Sequence, residues 1–482
     1  MNYLSLSFAV FVVALMVVYY LVPQKMRGVL LLGASLAFYA LFDPRYLIFL
    51  LAVALTTYLC ARAFVRDKGK KALLIGCLIV NTGIWLAIKV LPQWLGAFLG
   101  EGFLSAALPG WVVPVGISYY VLQAMGYLVD VYRGKIRSET RFWKYLLFLS
   151  WFPAIVQGPI SRYGELAPRL TSEKKFSFDL LVNHATMVLF GLVKKLVVAD
   201  RLSIFVNHCF DSAAQLQGMI LYIAAVCYAF QLYTDFSGCV DICRGVSGLF
   251  GIELTQNFNA PYLSRSIKEF WGRWHLSLSR WLKDYIYIPL GGNRKGTVRK
   301  YINLLITFTV SGIWHGAGLK FIAWGALQAV YQILGECTAD WRKKVKSLLG
   351  VQPDSFSERL FQILITFHLT VFSWIFFRAG SLTNALVFIR NMLTPSGGLA
   401  IFMGSYYTKG VSFPGFVIIA VHIAVMLWLE SKGRGKEEWI GRIRQLHFIC
   451  RWAIYFVLIF DVLLLGAYGT GYSMAGFLYG GF

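Results

Sequence analysis

The sequence predicts an all-α polytopic membrane protein, and three observations predict it. Of the 482 residues, 58% are hydrophobic and only 14% charged, with a mean hydropathy of +0.62. A soluble chain of this length cannot hide that much apolar surface. Apolar segments of roughly 17–25 residues recur, each long enough to cross a bilayer as a helix. Lys and Arg gather in short clusters between those segments, so the formal charge of +23 follows the pattern of cytoplasmic loops that also meet anionic lipid. That distribution argues against a nucleic-acid partner. A transmembrane β-barrel would need alternating segments of about ten residues, and none alternates.

Residues 1–22 form the first span; they lack the basic start and small-residue cleavage site of a secretory signal. Lys25 and Arg27 mark a turn. Spans at 28–42 and 46–61, joined at Asp43-Pro44, lead into Arg62, Arg66, Lys68, Lys70 and Lys71. By the basic-loop rule that cluster is cytoplasmic, and counting back sets the N-terminus outside the cytoplasm. A span at 72–91 leads out to a Gly-rich loop, 92–111, without Lys or Arg. A span at 112–132 returns to Arg133, Lys135, Arg137, Arg141 and Lys144.

The alternation then stumbles. Residues 145–160 are apolar but short, carry Pro153 and Pro159, and have basic sequence on both sides. The expectation is a re-entrant or broken helix, since non-helical backbone at membrane depth is tolerated only where protein or a cavity covers it. A crossing span with a basic outer loop is the alternative. Residues 176–198 form another apolar helix. Residues 217–253 are a long apolar stretch interrupted by QLYTDFSGCVDICRG. Further spans fall at 321–337, 358–377, 412–429 and 448–468, with basic sequence at 341–346 and 432–444. The total is about ten to thirteen helices, some not fully crossing. The chain reads as one integral-membrane domain, 1–482, with an extracytoplasmic tail, 468–482. Eight cysteines lie mostly in apolar runs and give neither a disulfide framework nor zinc-ligand spacing, so no metal site is expected.

Chemistry concentrates between Arg265 and Lys320, where charge and aromatics give way to an apolar run. His315 sits there in SGIWHGAG, and Gly312, Gly316, Ala317 and Gly318 leave room for backbone or ligand to approach. From a helix start near Lys300 it lies roughly 22 Å along the axis, deep in a core of roughly 30 Å. A neutral imidazole there can accept a proton from a hydroxyl. His184, His368 and His422 also lie in apolar helices, so a helix–helix hydrogen bond is the rival role for any of them. His275 follows Arg273 and Trp274 in WGRWHLSLSRW (271–281), which reads as an interfacial helix. Asp235 and Asp241, at i and i+6, do not share a helix face, and a structural ion pair is expected before direct catalysis. The loop PLGGNRKG (289–296) can offer backbone N–H groups to phosphate. It lacks nucleotide P-loop spacing and reads equally as a cytoplasmic turn.

The runs QLYTDFSGCVDICRGVSGLFGI, NFNAPYLSRSIKEFWGRWHLSLSRWLKDYIYIPLGGNRKG and SGIWHGAG, with ISRYGELAPRL and FSWIFFRAGSL, resemble the membrane-bound O-acyltransferase family, and within it the bacterial alginate O-acetyltransferase-like branch. The resemblance covers nearly the whole chain. It implies a ring of helices around a central tunnel. It implies transfer of an acyl group, usually acetyl, from a cytoplasmic thioester such as acetyl-coenzyme A, with no tightly bound cofactor. The acceptor would be a hydroxyl of an extracytoplasmic polysaccharide or peptidoglycan. The family's signature histidine falls on His315 and the second histidine of the branch on His275. Members often end in an aromatic hexapeptide with tyrosine third; here FLYGGF sets Tyr479 there, departing at Gly480 and Gly481. That tyrosine would relay the acyl group to an extracytoplasmic esterase-like partner protein, or anchor the tail at the membrane edge.

On that reading Arg273, Lys283 and Arg294 hold the donor's phosphates, Arg being able to bind phosphate bidentately. Trp274 and Asp235 belong to the same donor-binding region. His315 is the general base, His275 orients the donor or the helix and can share the proton work, and Asn303 or Trp314 stabilises the oxyanion. The protein would reside in the cytoplasmic (inner) membrane with both termini outside. Rival readings are D-alanyl transfer to teichoic acid on the same fold, a flippase or transporter, and a structural subunit without chemistry. A transporter would be expected to show internal repeats, and the sequence has none.

Overall fold

Within a bilayer a backbone must satisfy its own hydrogen bonds, and the apolar runs accordingly become helices in the computed structural model. It describes residues 2–64, 69–92, 94–95, 112–395, 411–433 and 435–468, which contain helices and no strands. The described residues divide into two compact units, one within 2–191 and 239–256, the other within 192–238 and 257–468.

The first unit begins with α1 (Leu6–Leu21), N-capped by Ser5, whose hydroxyl accepts the Phe8 N–H. Next come α2 (Gln24–Ala40), α3 (Tyr46–Ala63), α4 (Lys70–Val90), α5 (Ile117–Tyr132), α6 (Phe142–Ser150) and α7 (Tyr163–Thr171). The expected break between 145 and 160 is present. Helix α6 has nine residues, about 13 Å of rise against a core of about 30 Å. The chain from Trp151 to Gly158 that follows is non-helical and buried. Its polar groups find partners: Ser35 Oγ accepts the Phe152 N–H, Tyr3 OH donates to the Phe152 carbonyl, and Trp151 Nε1 donates to Ser247 Oγ. Gly116, at φ +80°, lets this segment come close, since a Cβ there would lie 2.0 Å from the Ile155 carbonyl oxygen.

Helix α8 (Phe178–Asp211) passes through a π-helical stretch at Val193–Ala199. Helix α9 (Met219–Leu249) runs 31 residues without a break. This corrects the expected interruption at QLYTDFSGCVDICRG: the polar residues are accommodated inside a continuous helix. Residues 219–238 of α9 belong to the second unit and 239–249 to the first. Within the first unit Gly248 meets His184; a Cβ would lie 2.0 Å from His184 Nδ1.

The second unit continues with α10 (Ile267–Trp271), α11 (Leu276–Leu282), α12 (Thr297–His315), α13 (Leu319–Cys337), α14 (Ala339–Leu348) and α15 (Phe356–Arg378). It closes with α16 (Leu382–Leu393), α17 (Phe413–Ser431), α18 (Lys436–Gln445) and α19 (Phe448–Leu465). Among the described residues seven helices are long and apolar enough to cross a membrane: α3, α4, α8, α9, α15, α17 and α19. Helices α12 and α13 form a tight hairpin. A Cβ at Gly312 would lie 2.2 Å from the Phe321 carbonyl oxygen, and one at Gly325 would lie 2.2 Å from that of Phe308. The small residues around His315 therefore admit neighbouring backbone, the first of the two occupants the sequence allowed.

Candidate active site

Helix α12 carries a buried polar stripe at i+4 spacing, Asn303, Thr307, Ser311 and His315. It ends at His315 because the chain turns extended at Gly316, where a Cβ would collide with the Phe321 ring at 2.3 Å. His315 is 3% exposed. Three rings meet its imidazole edge to face: Trp314 at 4.8 Å, Phe377 at 5.1 Å and Trp324 at 5.2 Å between centroids. They come from α12, α15 and α13, so the imidazole is fixed by three helices.

His275 does not sit on an interfacial helix. The expected helix over 271–281 is broken between α10 and α11, and His275 is the residue at the break, 1% exposed, with φ 44° and ψ 53°. A left-handed conformation is uncommon for a residue other than glycine. It is imposed by an adjacent loop. The Asn259 N–H donates to the Arg273 carbonyl at 2.9 Å, and the Leu276 N–H to the Asn257 carbonyl at 3.0 Å. The Ser277 N–H donates to Asn257 Oδ1 at 3.0 Å. The last bond caps α11 from a distance, a task His275 does not perform for itself. The imidazole lies against Phe236 of α9, 4.8 Å away, and against Trp314, 6.1 Å away. Trp314 thus touches both histidines. Burial pushes the His275 pKa down to about 3, so the ring is neutral at physiological pH.

Trp314 joins the histidines. Trp274 is a core residue, stacked on Phe270 at 5.5 Å and packed against Phe258, Tyr262 and Trp374. Arg273 donates to Glu269 Oε1 at 2.6 Å and to the Ala260 carbonyl, so its guanidinium is already engaged. Asp235 is buried and accepts from Lys195 Nζ at 2.6 Å; the same ammonium reaches Asp200 Oδ1 at 2.9 Å. The expected ion pair is therefore present, with Lys195 as a partner. Asn303 donates to the Gly292 carbonyl at 2.9 Å and latches the 289–296 loop. Twelve residues separate it from His315, about 18 Å of helix, which removes it from any oxyanion formed beside that imidazole. Lys283 and Arg294 are exposed. Tyr479 lies outside the described residues.

Three other intramembrane histidines serve helix packing. His184 fills the groove at Gly248. His368 joins the Leu364 carbonyl to Tyr222 OH, and His422 joins the Ile418 carbonyl to Asp461, 2.9 Å away. Sequence reasoning missed Asn257, Phe236, Trp324 and Phe377. Only the Asn-Phe-Asn run before a proline hinted at a turn, and nothing local tied it to His275.

Buried polar atoms are normally hydrogen-bonded. Among the described residues four near the two histidines have no hydrogen-bond partner: Ser237 Oγ, Asn257 Nδ2, Ser311 Oγ and Trp324 Nε1. Ser237 follows Phe236, Asn257 binds the turn after His275, Ser311 precedes His315 by one turn, and Trp324 touches His315. Two fixed imidazoles among unsatisfied polar groups suit a polar ligand and proton transfer to or from it.

Residues 111–379, which include both histidines, match the sequence model of the membrane-bound O-acyltransferase family. A probable alginate O-acetylase of Pseudomonas fluorescens is 34% identical over 369 residues, 76% of this chain and 70% of that protein. The peptidoglycan O-acetyltransferase of Helicobacter pylori is 32% identical over 400 residues, 76% of this chain and 73% of that protein. The teichoic acid D-alanyltransferase of Bacillus subtilis is 28% identical over 316 residues, 62% of this chain and 78% of its own length.

Proposed function

The chain belongs to the membrane-bound O-acyltransferase family and is a multi-pass membrane O-acyltransferase, and we propose that it moves an acetyl group from a cytoplasmic thioester, such as acetyl-coenzyme A, to hydroxyls of an extracytoplasmic polysaccharide or peptidoglycan. The observation that carries this reading is His315, buried at the end of α12 between three aromatic rings with unsatisfied polar atoms beside it. The names of the relatives favour acetyl as the acyl group and a cell-envelope polymer as the acceptor.

The donor enters a tunnel from the cytoplasmic side, and Lys283 and Arg294 take its phosphates. Arg273 contributes less, because Glu269 already occupies it. The acceptor hydroxyl attacks the thioester carbonyl carbon while His315 Nδ1 or Nε2 takes its proton. The C–O bond forms, the C–S bond breaks, and the departing thiolate takes up the proton. Neutral His275 orients the donor. The immediate acceptor is the Tyr479 phenol, which hands the acetyl group to an extracytoplasmic esterase-like partner of this inner-membrane protein.

The test is acetyl transfer from radiolabelled acetyl-coenzyme A by the purified full-length protein in proteoliposomes. His315→Ala should lower turnover at least about 10²-fold, the usual range for losing a general base, with membrane insertion unchanged. Undiminished turnover in that variant refutes the base. Similarity to a teichoic acid D-alanyltransferase supports a second reading. A D-alanyl thioester offered in the same assay decides between them, since preference for it over acetyl refutes the acetyl assignment.

A further inference from the structure

Asn257 is 0% exposed, lies outside every helix, and has a carboxamide whose two ends are differently occupied. A backbone N–H can only donate, so the atom that meets the Ser277 N–H at 3.0 Å must be the carboxamide oxygen. That bond leaves the NH2 group as the free end. Among the described residues it has no hydrogen-bond partner, although it is buried. A buried donor left unmade is unfavourable, and its neighbours mark where it lies. The Asn257 carbonyl holds the Leu276 N–H at 3.0 Å, immediately after His275. His275 itself is in the left-handed region and rests against Trp314, the ring that also touches His315. Strained residues persist where surrounding bonds over-determine them, and they cluster at working sites.

We infer that Asn257 is a further residue of the acyl-transfer site: its carboxamide oxygen fixes the turn that presents His275, and its NH2 group donates to the carbonyl oxygen of the acyl donor. This rests on the thioester-dependent reading above. As the hydroxyl oxygen adds to the carbonyl carbon, the C=O electron pair moves onto that oxygen. The NH2 hydrogen bond strengthens as the negative charge develops. When the C–S bond breaks, the oxyanion's electron pair re-forms the C=O bond and the negative charge leaves on the thiolate, so Asn257 neither gains nor loses a proton. Asn303 cannot fill this role, since its NH2 group is committed to Gly292.

Two substitutions separate the two ends of the side chain. Asn257→Asp keeps an oxygen for the Ser277 N–H and deletes the donor. Asn257→Ala deletes both. In proteoliposomes with acetyl-coenzyme A, Asn257→Asp should lower kcat about 10²-fold, as loss of one oxyanion donor does, with KM for the donor changed far less. Asn257→Ala should lower kcat similarly and also reduce the thermal midpoint. Wild-type kcat in Asn257→Asp overturns the inference. If Asn257→Asp does not fold, the wild-type protein bound to acetonyl-dethio-coenzyme A decides: the ketone oxygen should lie within about 3.2 Å of Asn257 Nδ2. A ketone oxygen held elsewhere, or an Nδ2 bonded only to water, overturns it. A wild-type protein inactive with every thioester refutes the functional reading itself, whereas an active wild type with an equally active Asn257→Asp refutes only the role of Asn257.

Discussion

His275 shows what burial does to a titratable side chain at the scale of one residue. The imidazole of His275 keeps its neutral form by a pKa near 3 when folded, against about 6.5 when unfolded. Between those values the unfolded chain binds a proton that the folded one refuses. Its contribution to stability is therefore complete above about pH 6.5 and declines as pH falls from there toward 3. At pH 5 the loss is about 2 kcal/mol. The thermal midpoint of the wild type should drop further between pH 7.5 and pH 5 than that of His275→Asn, which also tolerates the left-handed backbone; equal drops would refute buried neutrality. Asp235 is buried and accepts a hydrogen bond from the Lys195 ammonium at 2.6 Å. Lys195→Met leaves a buried carboxylate without this ammonium and should cost about 3–5 kcal/mol. The double variant Lys195→Met/Asp235→Leu should regain most of it, and chemical denaturation in detergent measures both. His315 was legible in the sequence because small residues and depth single it out. His275 was singled out by its motif, but its place at a helix break and the part of Asn257 were not legible, because they depend on a loop hydrogen-bonded across some twenty residues of chain.

Elements are positioned here by glycine as much as by apolar stripes. Helices α12 and α13 meet where Gly312 and Gly325 admit the opposing backbone, and that contact sets Trp324 against His315. Gly325→Ala would drive a methyl group to 2.2 Å from the Phe308 carbonyl oxygen. Backbone cannot yield there cheaply, so the helices must separate. The expected loss is about 1–3 kcal/mol, with a lower thermal midpoint and impaired acetyl transfer. Gly335→Ala on the same helix meets nothing within 4 Å and serves as the control, with a small gain of up to about 1 kcal/mol from helix propensity. Identical behaviour of the two variants would show that the close approach does not govern the site. The sequence located these helices well, since hydropathy is local. It misjudged α9 and the 271–281 run in opposite directions. Polar residues looked like an interruption where the helix is continuous, and good helix formers looked continuous where the loop at 257–260 forces a break.

For the whole molecule, membership in the O-acyltransferase family, the seven membrane-length helices among the described residues and the function proposed above frame one question, how an acetyl group would reach the far side of the bilayer. If the Tyr479 relay operates, donor-loaded protein should carry an acetyl adduct on Tyr479 by mass spectrometry, and Tyr479→Phe should lose transfer to the polymer. A fully active Tyr479→Phe variant would eliminate the relay and leave that tyrosine as a membrane-edge anchor.

What the sequence by itself determined is everything that one stretch of chain can encode alone. Apolar length sets membrane helices, basic clusters punctuate them, and Pro153 and Pro159 in a short apolar run set the buried break after α6. Motif spacing carried the family and singled out His315. Only the tertiary structure decided which groups meet. It set Trp314 against both histidines, gave Asp235 to Lys195 and Asn303 to Gly292, and turned the Asn257 carboxamide toward the turn that strains His275. The physical reason is range. Hydropathy and helix periodicity act over a few residues, whereas hydrogen bonds and ring contacts are chosen by whichever distant element packing brings within about 3 to 6 Å.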